Sequence, residues 1–264
     1  ANPFPSMMGR VCPAPCQDGC NRNEVEDFVG INAVEQFIGD TAIANGYKFD
    51  APGADTGKKV AIIGGGPAGL AAAYQLRRMG HGATIFEALS DLGGMFRFGI
   101  PGYRVPRDKL SAEIQRIVDM GVEVKTGVKV GTDVQVADLE KEFDAILWAI
   151  GCQSGRGLPV PGWDNTPNCV SGVAFLKAFN EGRMHVTASK VVCVGGGDTS
   201  IDVVSVARRL GHIQSTNPSE RPELVVHENY VMHDTAVTAA REGAEVTLTS
   251  LFTKENMTAA EHEV

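Results

Sequence analysis

The sequence predicts an α/β fold: two Rossmann-like dinucleotide-binding domains with a small helical, cysteine-bearing segment in front of them. Three observations predict it. An apolar strand, VAII, runs directly into Gly64-x-Gly66-x-x-Gly69 and a helix-like stretch. A second apolar strand, VVCV, runs into Gly195-x-Gly197-x-x-Ser200 and another helix-like stretch. Ahead of both, GRVCPAPCQDGC sets Cys12, Cys16 and Cys20 at equal four-residue steps. Strands that alternate with helices argue for parallel βαβ units.

Taken in order, residues 1–50 begin rich in Pro, Cys and Asn and then give a helical pattern in INAVEQFIGDTAIANGY. APGADTGKK is a linker by composition, with almost nothing to bury. The first dinucleotide-binding domain is expected over residues 58–155. It opens with the strand–turn–helix KVAIIGGGPAGLAAAYQLRRMG and the strand GATIFEA. An amphipathic helix over residues 107–120 follows, then VEVKTGVKVG and a strand, DAILWAIGC, read as buried with Trp148 in the core. A Gly/Pro-rich crossing occupies residues 156–187. The second domain, residues 188–264, starts with KVVCVGGGDTSIDVVSVARRLG. It continues through a polar insertion, HIQSTNPSERPEL, a helix-like NYVMHDTAVTAAREG and the strand AEVTLTS.

Composition narrows the function classes. The chain has 264 residues, is 43% hydrophobic and carries a net charge of −8, so nucleic acid is not expected as its main partner. No charged n-region precedes an apolar h-region, and the longest uncharged run, residues 60–76, is broken by GGGPAG. No membrane span is expected, and a cytoplasmic location is the default. Six cysteines in a chain of this length do not read as a disulfide framework, and Cys152, Cys169 and Cys193 read as small buried apolar residues.

In the first loop, Gly64 permits the tight turn, Gly66 lets backbone approach a pyrophosphate, and Gly69 lets helix and strand pack closely. Pro67 and Ala68 begin the helix whose N-terminal amides would meet the phosphates. An acid at the end of the second strand separates this pattern from a ligand-free glycine turn. Glu87 stands there, placed to hold a ribose 2′-OH. In the second loop Ser200 takes the third place, with Asp198 and Thr199 inside it, and dinucleotide binding is still expected. The strand that would choose between NADH and NADPH ends in TSLFTKEN. It has no arginine pair to grip a 2′-phosphate, and Lys254 is followed at once by Glu255, so NADH is favoured.

The cysteine run admits several readings. Zinc lacks a fourth Cys or His at a finger-like spacing, and a redox dithiol needs Cys-x-x-Cys, which occurs nowhere in the chain. An iron–sulfur site has Pro13 after Cys12 in its favour, although three thiolates fall one short of the four a [4Fe–4S] cluster takes, and zinc stays open on the residues alone. The histidines form no ligand spacing. Arg97 reads equally as a group steadying a bound phosphate or flavin ring and as surface charge.

Together NPFPSMMGRVCPAPCQDGCNR, INAVEQF, GGGPAGLAAA, LGGMFRFGIPGYRVP and VVCVGGGDTSID resemble the glutamate synthase small-subunit family in the family's order. The polar insertion after Gly211 departs from typical small subunits, and with it the chain resembles the NADH:acceptor branch associated with dissimilatory sulfite reductase. The resemblance implies an oxidoreductase passing electrons between NAD(P)H, an FAD and [4Fe–4S] clusters, to or from a partner protein subunit. The leading segment becomes a helical iron–sulfur segment, the first loop the FAD site, and the second the nicotinamide site. Gly93, Gly94, Arg97 and the stretch containing Ile100 would lie along the flavin, with Gly151 in a turn beside it. Cys12 and Cys16 would ligate one cluster, completed by Glu35. Cys20 would serve the other together with cysteines upstream. On the residues alone a solvated Glu35 is as good a reading. Where the family carries Arg-Arg this chain has Leu251 and Phe252, which agrees with NADH. The resemblance also implies further chain at both ends. Because cofactors of this kind carry the chemistry, no acid–base pair or nucleophile is expected and no catalytic side chain is named. Two rivals remain: a dithiol disulfide reductase, for which the cysteines are lacking, and a non-catalytic dinucleotide-binding scaffold.

Overall fold

β1 (Lys59–Ile63) is the strand on which the first unit of the computed structural model is organised. The structure describes residues 2–155, 157–163, 165, 166, 169–183, 190–210, 245–250, 253, 256 and 257. Two units divide the chain: residues 1–97 with 104–151, and residues 98–103 with 152–264.

β1 pairs in parallel with β2 (Gly82–Glu87) on one side, Ile62 opposite Ile85, and with β4 (Ala145–Trp148) on the other, Ile62 opposite Leu147. β3 (Glu123–Thr126) completes a four-stranded parallel sheet in the order β3-β2-β1-β4. A central parallel strand is covered on both faces, so VAII is apolar without alternation. Ala61 and Ile63 pack with Phe86, Leu139 and Phe143, the last two from α7 (Val136–Glu142) and its C-cap. Ile62, on the opposite face by the strand period, lies under α4 (Pro67–Arg78). α6 (Arg107–Val118) buries Leu110, Glu113, Ile114 and Ile117.

β4 departs from its expected burial. Trp148 is 54% exposed, and Leu147 and Ile150 are open. β4 is an edge strand bonded to β1 alone among the described strands, and Ile146 is its contribution to the core. The uncharged sequence records an environment that the described residues do not supply. Cys152 and Cys169 are likewise exposed rather than buried, because they sit in irregular chain after β4; Cys193 is half-buried in its strand.

The leading segment folds as α1 (Pro5–Val11), α2 (Pro15–Asp18), a 3₁₀ turn (Asn21–Glu24) and α3 (Ile31–Ala44), the helix expected from INAVEQF. α1 crosses α3 closely: a Cβ on Gly39 would overlap the Ser6 backbone. The opposite face of α3 leaves Ile31, Val34, Phe37 and Ile38 exposed. The linker is pinned rather than free, since the Gly53 and Thr56 amides donate to the Arg77 and Gly80 carbonyls at 3.0 and 3.1 Å.

In the second unit β5 (Lys190–Val194) pairs in parallel with β6 (Glu245–Thr249), Cys193 opposite Leu248. α9 (Asp198–Leu210) packs on α8 (Gly172–Asn180) through Val203, Val206, Leu176 and Phe179, with Tyr103 and Cys193 against them. α8 lies inside the stretch expected as a crossing; Ser171 caps it, accepting from the Ala174 amide at 3.3 Å. The polar insertion, the stretch NYVMHDTAVTAAREG, and His212, His227, His233, Leu251, Phe252, Lys254 and Glu255 lie outside the described residues.

Candidate functional site

The C-terminal ends of β1, β2 and β4 meet at the first glycine loop. The Gly64 amide donates to the Phe86 carbonyl at 2.8 Å, and the Ala149 amide to the Ile63 carbonyl at 2.8 Å. Gly64 has φ +112°, and a Cβ there would overlap the Ala149 carbonyl oxygen. A Cβ on Gly69 would overlap the Gly64 carbonyl oxygen, so glycine at both positions lets helix and strand ends close on each other. Gly66 differs: a Cβ there would meet nothing nearer than the Gly94 Cα at 3.6 Å. The backbone is therefore open on that side, as a close-approaching phosphate requires. Pro67 occupies the first turn of α4 and no side chain caps the helix, so the early amides and the positive dipole end stay available to an anion. This is the crevice at the point where strand order reverses around β1, where doubly wound sheets take their ligands.

Glu87 closes the site from below. It ends β2 with 8% exposure; its Oε2 accepts from the Gly65 amide at 2.7 Å and its Oε1 from the Leu89 amide at 2.8 Å. Each carboxylate oxygen can accept twice, so a ribose hydroxyl fits beside these backbone bonds. A second glycine segment completes the cradle: the Gly93 amide donates to the Gly65 carbonyl at 2.8 Å, and a Cβ on Gly94 would press on Gly66. Arg97 sits behind it in α5 (Met95–Phe98), 9% exposed, donating from Nε to the Leu92 carbonyl at 2.6 Å and from Nη2 to the Ser111 hydroxyl at 3.0 Å. The surface-charge reading of Arg97 is thus excluded by burial, and its donors hold the turn that carries Gly93 and Gly94. These residues fit a dinucleotide. The structure brings Gly64, Gly66, Pro67, Ala68, Gly69, Glu87, Gly93, Gly94 and Arg97 together; Gly151 follows β4 in the same unit with φ +64°, whereas Ile100 belongs to the second unit. Gly65 and Leu92, both part of the cradle, escaped the sequence reading because only their backbones act.

The second loop repeats the plan. The Gly195 amide donates to the Thr249 carbonyl at 2.7 Å with φ +146°, and the Ser200 amide to the Gly197 carbonyl at 2.8 Å. A Cβ on Gly195 would overlap the Ser200 hydroxyl, so serine fills the third position beneath the loop. Asp198 and Thr199 are exposed in the first turn of α9. Burial raises the Cys193 thiol in the strand below.

In the leading segment, Cys12 is the C-cap of α1, its sulfur accepting from the Ala14 amide at 3.4 Å, with Ala14 held left-handed at φ 54° between two prolines. The backbone amides of Val29 and Arg22 lower the Cys20 thiol. Amide donors aimed at sulfur suit thiolates that hold a cluster. Asn32 in the first turn of α3 donates to the Cys12 carbonyl at 3.1 Å, and Glu35, one turn on, accepts from Asn2 at 2.8 Å. Cys16 is exposed. Among the described residues no three of His, Cys, Asp or Glu gather as a ready metal-holding group, so Cys12, Cys16, Cys20 and Glu35 do not form one set.

Comparison with known proteins bears on the family and the fold. The family profile described as pyridine nucleotide-disulphide oxidoreductase matches residues 58–254, and that described as dihydropyrimidine dehydrogenase domain II, 4Fe-4S cluster, matches residues 1–47. The chain belongs to the pyridine nucleotide-disulphide oxidoreductase family, with a 4Fe-4S-type segment in front. Its similarity to glutamate synthase small chains is borne out: it is 35% identical to the glutamate synthase [NADPH] small chain of Mycobacterium tuberculosis over 92% of this chain and 54% of that one. It is 41% identical to the NADPH-Fe(3+) oxidoreductase subunit beta of Geobacter sulfurreducens over 81% of this chain and 33% of that one. It is 37% identical to the NAD-dependent dihydropyrimidine dehydrogenase subunit PreT of Salmonella typhimurium over 80% and 51%. The chain thus spans between a third and about half of these relatives. Among solved structures, Mycobacterium tuberculosis FprA in complex with NADPH shares the fold with a TM-score of 0.57 and 24% identity over 78% of this chain and 46% of that one.

Proposed function

We propose that this chain is the electron-distributing part of a flavin-dependent oxidoreductase, moving electrons between NAD(P)H and [4Fe–4S] clusters, to or from a partner protein. The observation that carries this reading is the pairing of a Glu87-closed glycine cradle with a second strand–glycine–helix loop in one chain, behind a 4Fe-4S-type segment. A bound flavin supplies hydride acceptance from nicotinamide and one-electron release, so the protein's task is position and electrostatics. On this reading the first loop holds FAD, with Glu87 at the ribose, the α4 N-terminus at the pyrophosphate, and Gly93, Gly94 and Gly151 along the ring. Gly195, Gly197, Asp198, Thr199 and Ser200 hold the nicotinamide cofactor. The resemblance assigns Cys12 and Cys16 to one cluster with Glu35 and Cys20 to the other, although no three of these side chains gather around one point among the described residues. The similar proteins are named as subunits, which supports a protein partner.

NADH is the favoured nucleotide, because TSLFTKEN offers no arginine pair for a 2′-phosphate. Similar proteins named for both NAD and NADPH make this a point for experiment. Anaerobic titration of the flavin-loaded protein with each nucleotide tests it. Bleaching at lower NADH than NADPH supports the reading, and the reverse order contradicts it. No dithiol reductase is proposed, because the chain has no Cys-x-x-Cys.

A further inference from the structure

The start of α1 has no side chain of its own to satisfy it: Phe4 is the N-cap and makes no side-chain capping bond. Ser6 and Met7, both fully buried, place their amides where a helix start leaves donors without intrahelical partners. Glu113 supplies the acceptors from a different element, α6. Its Oε1 accepts from the Ser6 amide at 2.7 Å and its Oε2 from the Met7 amide at 3.1 Å. A fully buried carboxylate that accepts from two backbone amides, with no ion pair to a described residue, is an unusual interior group. The same helix start is fixed a second time, since the Phe4 ring meets Phe96 edge-on with centroids 5.9 Å apart, two residues after Gly94. At its other end α1 terminates on Cys12.

We propose that Glu113 is a proton-linked positioning residue that sets how tightly α1, and with it the Cys12 end of the cluster segment, is held against the first dinucleotide unit. The inference goes beyond the redox reading and stands on the α1–α6 packing, whichever nucleotide the loops take. Charged groups around it come from three elements: Arg116 on α6, Arg10 on α1, and Asp40 on α3, the last bonded to Arg10, Ser6 and Lys109. Burial pushes the Glu113 carboxyl up to about 7, against the pull of the Ser6 and Met7 amides and of Arg116 and Arg10. The Arg10 guanidinium, the Ser6 hydroxyl and Lys109 outweigh burial and hold the Asp40 carboxyl well below its usual range, outside the window in which Glu113 titrates. An acid whose value in the docked helix exceeds its free value takes up a proton on docking. α1 is therefore held more tightly in mild acid and less tightly as pH rises, levelling off above about 7.

Hydrogen exchange of the full chain, read on peptides covering Pro5–Val11 and corrected for intrinsic rates, tests this. The opening equilibrium of α1 should rise roughly 70-fold between about pH 5 and about pH 8 in the wild type, and α4 should show no such rise. Glu113→Gln removes the titration and keeps the size, so its opening equilibrium should stay flat over that range. A wild-type opening equilibrium that does not change with pH overturns the proposal, as does a Glu113→Gln protein that keeps the wild-type slope. If Glu113→Gln fails to fold, the wild-type titration decides alone.

Discussion

Glu87 serves two functions that a substitution can separate. Its carboxylate ties the Gly65 and Leu89 amides together, and on the proposed function it also accepts from a flavin ribose. Glu87→Gln can keep one backbone bond and lose the charge, whereas Glu87→Ala loses everything. Hydrogen bonds to a charged group contribute about 1.5–3 kcal/mol each, so Glu87→Ala should weaken flavin retention by about ten- to a hundredfold, with Glu87→Gln intermediate. Flavin absorbance recovered after gel filtration reads this out, and equal retention by all three proteins would remove Glu87 from the site. Gly69→Ala is a sharper steric probe because its Cβ would overlap the Gly64 carbonyl. Overpacking of this kind costs about 1–3 kcal/mol, and thermal unfolding should show it together with lost flavin. Glycine spacing and the acid at Glu87 were legible in the sequence because geometry dictates them. Gly65, Leu92 and Glu113 were not, because they act through backbone atoms or across 106 or more residues of chain, as Glu113 does with Met7.

At the scale of elements, the cluster segment depends on the α1–α3 crossing. Gly39→Ala puts a methyl group into the Ser6 backbone, and since backbone cannot yield as a flexible side chain does, α1 should lift from α3. Iron content of the variant should fall while far-UV circular dichroism from the parallel sheet persists; unchanged iron would show that the crossing is not what holds the cysteines. Asp40 makes the same interface pH-sensitive from the other direction. Its carboxyl is held below the ordinary value of 3.8, chiefly by Arg10 once burial is overcome, so its contribution is complete above that value and is lost as pH falls beneath it. Acid unfolding of Asp40→Asn should therefore show a weaker dependence on pH below about 4 than the wild type. Strand and helix identities were readable from period and glycine punctuation, as β1, α3 and α6 show. The environments of Trp148, Cys152 and Cys169 were not, because apolar character reports what a strand can bury and not whether a neighbour covers it.

For the whole molecule, the two glycine loops lie in separate units, each with its own parallel pairing and core. Residues 98–103, which contain the Phe98–Pro101 stretch expected along the flavin, group with the second unit, where Tyr103 lies under Arg209, 3.9 Å from guanidinium carbon to ring centroid. Spacing in sequence cannot show such an exchange of segments, since it depends on which core the side chains join. No helix among the described residues is long and apolar enough to cross a membrane. On the proposed function, one chain holds a flavin at Gly64–Gly69 and receives electrons from a nicotinamide nucleotide at Gly195–Ser200. Anaerobic titration of the flavin-loaded protein with NADH tests it most directly. The visible flavin band should bleach near one equivalent, at lower concentration than with NADPH. A band that neither nucleotide bleaches would contradict it.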